Sequence, residues 1–186
     1  GKTTPKFSGG FGLNATYKGF DMSMFFNFMY DFDVLNANKI MLTTWADNKE
    51  NNFLMDIASD KRWRNFDDMG NEIRYSPEVL AEFNKNATMW NPTSIGRPIC
   101  MSYAVEDGSF LRLNSATLGY TLPSVWTKKV GLSKVRFYVS GNNLFTLTGY
   151  SGYDPEVNIA TGLTPNIDYN RYPRSRTYTF GAQLTF

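Results

Sequence analysis

Five stretches of the chain alternate with a period of two between apolar residues and small polar ones. Such alternation is typical of strands in a sheet with one apolar face. The expected strands cover residues 7–17, 20–30, 109–121, 134–147 and 176–186. In the last stretch, Tyr178, Phe180, Ala182, Leu184 and Phe186 alternate with threonine, glycine and glutamine. The pattern therefore predicts five long strands, each with an apolar face opposite a small polar one.

The third stretch departs from strict alternation near its middle. Its apolar residues are Leu111 and Leu113 on one parity, then Ala116, Leu118 and Tyr120 on the other. A β-bulge inserts one residue into a strand and so restores the face of the residues beyond it. We therefore expect a bulge near Asn114 and Ser115 that brings all five apolar residues to one face.

The length of these stretches favours a membrane. They run over 11 to 14 residues, whereas strands of globular proteins usually have ~5–6. Strands of ~9–11 residues cross a bilayer, with an apolar face outward, a polar face inward and aromatic residues at the interfaces. A soluble β-sandwich or lipocalin-like barrel also alternates, but the strand lengths and the aromatic content of 16% favour a transmembrane antiparallel β-barrel.

The connections between the stretches alternate in length. Two residues join the first pair, and about a dozen, residues 122–133, join the third to the fourth. The other two connections are long, with 78 residues at 31–108 and 28 residues at 148–175. Outer-membrane barrels have short periplasmic turns and long external loops. We therefore expect loops 31–108 and 148–175 to be extracellular, with short helices at about 48–63 and from Ser76-Pro77 onward.

Composition and charge exclude several functions. The chain has no histidine, which removes Ser-His-Asp triads and histidine-based zinc sites, and it has one cysteine, Cys100. Its formal net charge of +2 gives no electrostatic case for nucleic acid. Asp154, Glu156 and Asp168 are oxygen donors suited to calcium, but carboxylates in a solvated loop more often bind nothing. We expect no enzyme activity, no cofactor and no metal; a glycosidase-type carboxylate pair is the alternative that no spacing singles out.

The first long loop carries the residues best suited to contact a ligand or a partner. It holds 13 of the 17 acidic residues and three of the four tryptophans. Aromatic side chains contact sugar rings and apolar groups, so the candidates for ligand or lid contact are Trp45, Trp63, Tyr75, Trp90 and Tyr103. The alternative is that most of these side chains pack the loop against itself.

Four motifs together resemble one family. They are DGSFLRLN at 107–114 with LGYTLP at 118–123, RFYVSGNNLFT at 136–146, GYDPEV at 152–157, and YPRSRTYTFG at 172–181. In this order and spacing they are similar to the C-terminal barrel region of SusC/RagA-type TonB-dependent transporters of the Bacteroidetes outer membrane. The resemblance runs from about Phe7 to Phe186.

The resemblance implies both an architecture and partners. The chain would form the last five strands of a 22-stranded barrel that imports glycans, oligosaccharides or peptides, with a SusD-like lipoprotein as lid. TonB would act through an N-terminal region outside this chain. The barrel-assembly machinery would read Tyr178, Phe180, Leu184 and Phe186 as an insertion signal. A soluble all-β carbohydrate- or protein-binding module with long aromatic loops is the alternative.

Overall fold

The computed structural model describes residues 1–44, 52–57, 61–94, 99–156 and 166–186. The chain forms two compact units. The first unit combines Gly1–Leu35 with Glu106–Phe186, and the second is Asn36–Val105.

The first unit is built on a five-stranded antiparallel sheet. In chain order the strands are β1 (Phe7–Tyr17), β2 (Phe20–Tyr30), β3 (Asp33–Asn36), β4 (Val105–Asp107), β5 (Phe110–Thr121), β6 (Lys134–Thr148), β7 (Ile167–Asp168) and β8 (Thr177–Thr185). The large sheet has the order β1-β2-β5-β6-β8, and β4-β3-β7 form a small second sheet. The five long strands begin and end within one residue of the expected positions. The prediction of an all-β fold with short helices is confirmed.

The first hairpin has a tight turn. Its two turn residues, Lys18 and Gly19, have φ angles of 45° and 88°. Two successive positive φ angles characterise the type I′ turn, whose twist matches that of the flanking strands. From this turn the pairing of β1 with β2 runs without a shift from Tyr17↔Phe20 to Phe7↔Tyr30. The turn therefore sets the register of the first two strands.

The expected bulge in β5 is present. The pairing of β5 with β2 shifts between Phe25 and Phe26, so that Ser115 and Leu113 oppose them and Asn114 is left over. The pairing of β5 with β6 shifts at the same place, where Asn143 has a φ of 52°. The bulge places the apolar residues of both halves of β5 on one face, as the sequence predicts.

One face of the large sheet is apolar across all five strands. Near the β1–β2 turn, Tyr17 pairs with Phe20, Phe20 with Tyr120, and Tyr120 with Phe137. The Phe20 and Tyr120 rings lie 4.5 Å apart. We call these four residues the aromatic row. On β8 the same face continues through Leu184, Ala182, Phe180 and Tyr178, which pair with Val135, Phe137, Val139 and Gly141. The face is continuous and largely exposed.

The opposite face of the sheet is polar and carries an ion pair that crosses three strands. Arg136 on β6 donates through Nε to Oδ1 of Asp21 on β2 at 2.9 Å, and its Nη2 contacts Oδ2. Gly119 on β5 lies between them, and a Cβ there would stand 2.5 Å from Arg136 Nη2 and 2.6 Å from Asp21 Oδ1. The ion pair therefore passes over β5 only because position 119 has no side chain.

A small core lies at the end of the sheet away from the β1–β2 turn. It consists of Phe32, Val34, Phe110 and Tyr150. The rings of Phe32 and Phe110 meet edge to face, with centroids 6.5 Å apart. Both long connections begin at this end of the sheet, and both contribute to the core. Phe32 and Val34 belong to the first connection, and Tyr150 belongs to the second. In the described part of the chain, no helix is long and apolar enough to span a membrane.

The second unit contains α1 (Ala37–Met41) and α2 (Pro77–Asn84), while α3 (Ser124–Thr127) belongs to the first unit. The helix expected from Ser76-Pro77 is present, with Pro77 in its first turn. The helix expected at 48–63 is wrong for the described residues of that range, which hold only a 3-10 turn at Met55–Ile57. At the end of the range the Trp63 N–H donates to Met89 O at 2.8 Å, a long-range bond in place of a helical one.

The face assignment of β8 predicts a labelling pattern in the full-length protein. With Cys100 replaced by Ser, single cysteines at Thr179 and Gln183 should react with a water-soluble maleimide at least about tenfold faster than cysteines at Phe180 and Leu184. The reason is that the latter pair belongs to the apolar face, which lipid shields from a reagent that stays in water. Faster labelling at 180 and 184 than at 179 and 183 would contradict this register.

Candidate functional site

A buried arginine ties the second long connection to the polar face of the sheet. Arg112 lies on β5 opposite Asn27 of β2 and Thr146 of β6, and it is only 1% exposed. Its Nη2 donates to Asp154 Oδ1. Burying an ion pair costs desolvation energy that only good geometry and further hydrogen bonds offset. Removing Arg112 leaves the Asp154 carboxylate buried without its counter-charge, so the loop depends on the strand.

Glu156 extends this pair into a network. Its Oε2 lies 3.3 Å from Arg112 Nη1, and its Oε1 lies 3.0 Å from Arg174 Nη2. Its backbone N–H donates to Asp154 Oδ1 at 2.9 Å. Two guanidinium groups thus face two carboxylates, and the network is close to neutral. It joins residues on both sides of segment 157–165 to one strand.

Several buried polar atoms around this network have no hydrogen-bond partner among the described residues. They are Asn27 Oδ1, Arg112 Nε, Asn114 Oδ1 and Glu156 Oε2. Buried polar groups in folded proteins are nearly always paired with protein or water. The polar face near Arg112 therefore offers donors and acceptors to water or to further protein.

Two further contacts hold the second connection. The Tyr150 hydroxyl donates to Asp168 Oδ2 at 2.7 Å; burial, followed by this carboxylate, raises the pKa of that hydroxyl well above its usual range. Ser151 donates through its backbone N–H and its hydroxyl to Glu106, at 3.0 and 2.8 Å. The residues just after β6 are therefore fixed to the small core and to β4.

A cavity of about 500 Å³ opens beside the network. Its lining residues are Met29, Phe32, Asp154, Pro155, Glu156, Asn166, Arg171, Tyr172 and Arg174. Arg171 and the Tyr172 ring are exposed at its edge. The mixture of guanidinium, carboxylate and amide groups suits a polar ligand rather than an apolar one.

The carboxylates considered for calcium are already engaged. Asp154 pairs with Arg112, Glu156 with Arg174, and Asp168 accepts from Tyr150. Among the residues that the structure describes, no group of three or more Asp, Glu or Cys side chains is arranged to hold a metal ion. These carboxylates position the loop instead.

Two of the predicted contact residues pack inside the second unit. Trp90 Nε1 donates to Thr43 O at 3.0 Å, and the Trp90 ring meets Tyr103 edge-on at 5.2 Å. The Tyr103 hydroxyl donates to Asp56, and Lys39 Nζ lies 4.6 Å from the centroid of the Tyr103 ring. Trp90 and Tyr103 therefore stabilise this unit, and any ligand contact they make uses only their remaining exposed edges.

The other predicted contact residues lie at the surface or outside the described residues. Tyr75 is 80% exposed and Trp63 is 41% exposed. Trp63 also lines a second cavity of about 410 Å³, together with Phe53, Arg62, Arg64, Asn65, Phe66, Asp67, Asn91, Pro92 and Thr93. Trp45 lies outside the described residues. The structure does not bring the four described aromatic residues into one site.

Sequence reasoning missed the Arg112 network. An arginine within an apolar strand was visible, and so was the Asp-Pro-Glu segment of the second connection, but 42 residues separate Arg112 from Asp154. No local spacing predicts that contact, because it depends on how the connection returns over the sheet. The available signal was the alternation along β5, which places Arg112 on the polar face of the sheet, opposite to Leu111 and Leu113.

The chain was compared with known proteins. No protein-family model matches it. It is 34% identical over 192 residues to a TonB-dependent receptor of Formosa agariphila, an alignment that covers 100% of this chain and 17% of that protein. It is 38% identical over 88 residues to the TonB-dependent receptor SusC of Bacteroides thetaiotaomicron, covering 45% of this chain and 8% of SusC. The chain thus spans less than a fifth of either relative.

Solved structures of a related transporter also match this chain. The RagAB peptide transporter matches with a TM-score of 0.73 and 26% identity, over 99% of this chain and 18% of that one. The RagAB peptide importer in its open-open state matches with a TM-score of 0.71, also at 26% identity. The expected fold class, a barrel segment, and the expected outer-membrane location are thereby confirmed.

The buried network predicts that Arg112 controls the mobility of the second connection. Replacing Arg112 by Met in the full-length protein should accelerate amide hydrogen exchange at 149–156 and 166–174, because breaking a buried ion pair costs ~3–5 kcal/mol. The matched control is Arg174→Gln, which removes a half-exposed partner worth ~1 kcal/mol or less and should leave exchange nearly unchanged. Equal exchange profiles for wild type and Arg112→Met would show that the network does not hold the loop.

Proposed function

We propose that this chain, a barrel segment of a SusC/RagA-type TonB-dependent receptor, forms part of the wall and the outer vestibule of an outer-membrane nutrient importer. The observation that carries the proposal is the apolar face that runs without interruption over five long strands, next to a polar opposite face. The relatives named above support it, because they are receptors and importers.

The two faces of the sheet have different roles in this proposal. The apolar face contacts lipid, where an Arg or Lys at the midplane would cost ~2–4 kcal/mol. The polar face contacts water and the interior of the barrel. Asp21, Arg112 and Arg136 all lie on that face. Asn27 Oδ1 and Arg112 Nε, which have no hydrogen-bond partner among the described residues, are consistent with further contacts inside a complete barrel.

In this proposal each of the two long connections contributes separately to the outer surface of the importer. The cavity beside Arg112 and the exposed Trp63 and Tyr75 are the surfaces offered to the nutrient or to a lid. The nutrient would be a glycan, an oligosaccharide or a peptide, the lid a SusD-like lipoprotein, and the energy would come through TonB. The matched RagAB structures, named as a peptide importer, favour a peptide among these classes.

A soluble binding module fits the exposed face less well. Phe180 is 81% exposed and Tyr178 is 64% exposed, and they lie on the same face as the aromatic row. Soluble proteins rarely leave a contiguous apolar patch of this kind in water. An enzyme is not proposed, because the relatives carry the names of receptors and importers.

The vestibule proposal predicts a loss of function without loss of assembly. In the full-length protein, Trp63→Ala combined with Tyr75→Ala should lower affinity for the partner lipoprotein, or nutrient uptake, by about tenfold, the scale expected when exposed aromatic anchors are truncated. Met69→Ala is the matched control, since Met69 is 84% exposed in the same unit and was not selected as a contact residue. Uptake and lipoprotein binding equal to wild type would show that the two aromatic residues are not contact residues.

We also propose that Tyr178, Phe180, Leu184 and Phe186 form the signal read by the barrel-assembly machinery. An exposed strand pairs through its backbone, and its alternate side chains supply specificity. Phe186→Ser in the full-length protein should reduce the amount of folded receptor in the outer membrane, measured by heat-modifiable migration on gels, while synthesis stays constant. Thr185→Ser is the control, because Thr185 lies on the opposite face of the strand. Equal surface levels for Phe186→Ser would make Phe186 an ordinary wall residue.

A further inference from the structure

The end of the sheet at the β1–β2 turn has a distinctive combination of side chains. The aromatic row, Tyr17, Phe20, Tyr120 and Phe137, lies at this end on the apolar face. Four exposed lysines lie here as well, and we call them the basic collar. They are Lys18 in the β1–β2 turn, Lys128 and Lys129 in the β5–β6 connection, and Lys134 at the start of β6.

The β5–β6 connection is a fixed structure rather than an open loop. It contains α3 and a 3-10 turn at Lys128–Val130, and this turn is capped by Gly131 with a φ of 75°. Thr127 is buried, and its carbonyl accepts from the Leu132 N–H at 3.1 Å. This fold leaves three apolar side chains exposed next to the two lysines: Val125 at 68%, Trp126 at 60% and Val130 at 70%.

The charge at this end is almost wholly positive. None of the four lysines has a carboxylate within ion-pair distance among the described residues. Among the residues described at this end, the one acidic side chain is Asp21, which Arg136 engages. Summed over Asp21, Arg136 and the basic collar, the side-chain charge is five positive minus one negative, or +4. By contrast, the loop end carries opposite charges in pairs.

We propose that the basic collar and the Val125-Trp126-Val130 surface bind anionic phospholipid in the periplasmic leaflet, with phosphatidylglycerol as the lipid. Tryptophan and tyrosine prefer the level of the headgroups, and each lysine near an anionic surface adds electrostatic attraction to it. The aromatic row marks that level, the exposed turn inserts apolar groups beside it, and the ammonium groups of Lys18, Lys128 and Lys129 lie where lipid phosphates are. These groups form a surface next to the lipid-facing side of the sheet, and Lys134, which shares the face of Arg136, borders it from the polar side.

The choice of leaflet follows from the connections and rests on the proposed function. Short connections of outer-membrane barrels are periplasmic, and both connections at this end are short compared with those at the other. The periplasmic leaflet consists of phospholipid, so the phosphates that meet the collar belong to phospholipid headgroups. An acidic periplasmic protein is the competing partner, and it would not need Trp126 at the headgroup level.

The test uses the purified full-length receptor and measures bound lipid by native mass spectrometry against phosphatidylglycerol and phosphatidylcholine. Wild type should retain phosphatidylglycerol in preference to phosphatidylcholine. Replacing the four collar lysines by Gln should weaken phosphatidylglycerol binding at least about tenfold. Trp126→Ala should weaken the binding of both lipids. The matched control replaces Lys2, Lys6, Lys61 and Lys85 by Gln, which removes the same charge elsewhere and should leave the preference intact.

Every outcome decides the proposal. Heat-modifiable migration establishes that each variant is folded; if the fourfold variant is not, Lys128→Gln with Lys129→Gln alters the turn alone and should weaken binding by a smaller factor. If wild type shows no preference for phosphatidylglycerol, the proposal is overturned, and an acidic protein becomes the favoured partner of the basic collar. An equal loss in the control variant would also overturn it. The lipid measurement does not depend on nutrient uptake. If uptake fails while the preference for phosphatidylglycerol persists, only the import proposal is rejected.

Discussion

The structure depends on one constraint: the interior of a bilayer offers no hydrogen-bond partner to a peptide group, so every backbone N–H and C=O there must pair within the protein. A sheet meets this requirement along its length, and one apolar face makes it compatible with lipid. The sequence follows from both demands. The strands are long, the alternation holds on each side of the β5 bulge, and this bulge keeps Leu111, Leu113 and the apolar residues beyond them on the same face. Polar groups are confined to the other face, where Gly119 leaves room for the Asp21–Arg136 pair.

The two ends of the sheet differ because they meet different surroundings. At the loop end, opposite charges lie in pairs, and the buried Arg112 holds Asp154 and Glu156 of the second connection. This arrangement positions a loop without adding net charge to the cavity beside it. At the turn end, none of the lysines has a carboxylate within ion-pair distance in the described part of the chain, and they lie beside exposed apolar residues. These two charge patterns are consistent with the proposals above, in which the loop end contacts a solute and the turn end contacts a membrane surface.

The strands were predictable from the sequence because period-two alternation is a local property. The bulge was predictable for the same reason, since Leu113 and Ala116 differ in parity within one strand. The helix expected at 48–63 was wrong in its described part because Trp63 bonds to Met89, a tertiary contact that overrides local preference. The contact between Arg112 and Asp154 lay beyond any local pattern, since it depends on the return path of a long connection. The sequence alone does not distinguish Trp90 from Trp63, since both lie in the first long connection. The tertiary structure separates them, because Trp90 donates to Thr43 O and Trp63 lines a cavity.

The central claim is that this sheet is one section of a larger closed barrel, so its two outer strands, β1 and β8, are not edges in the intact protein. Hydrogen exchange of the full-length receptor in outer-membrane vesicles measures this directly. A closed barrel has no free strand edge, so the amides of β1 and β8 that point away from β2 and β6 should exchange as slowly as those of the central strand β5. Exchange at those amides as fast as at the exposed Lys18-Gly19 turn would mean open edges, and it would contradict the account.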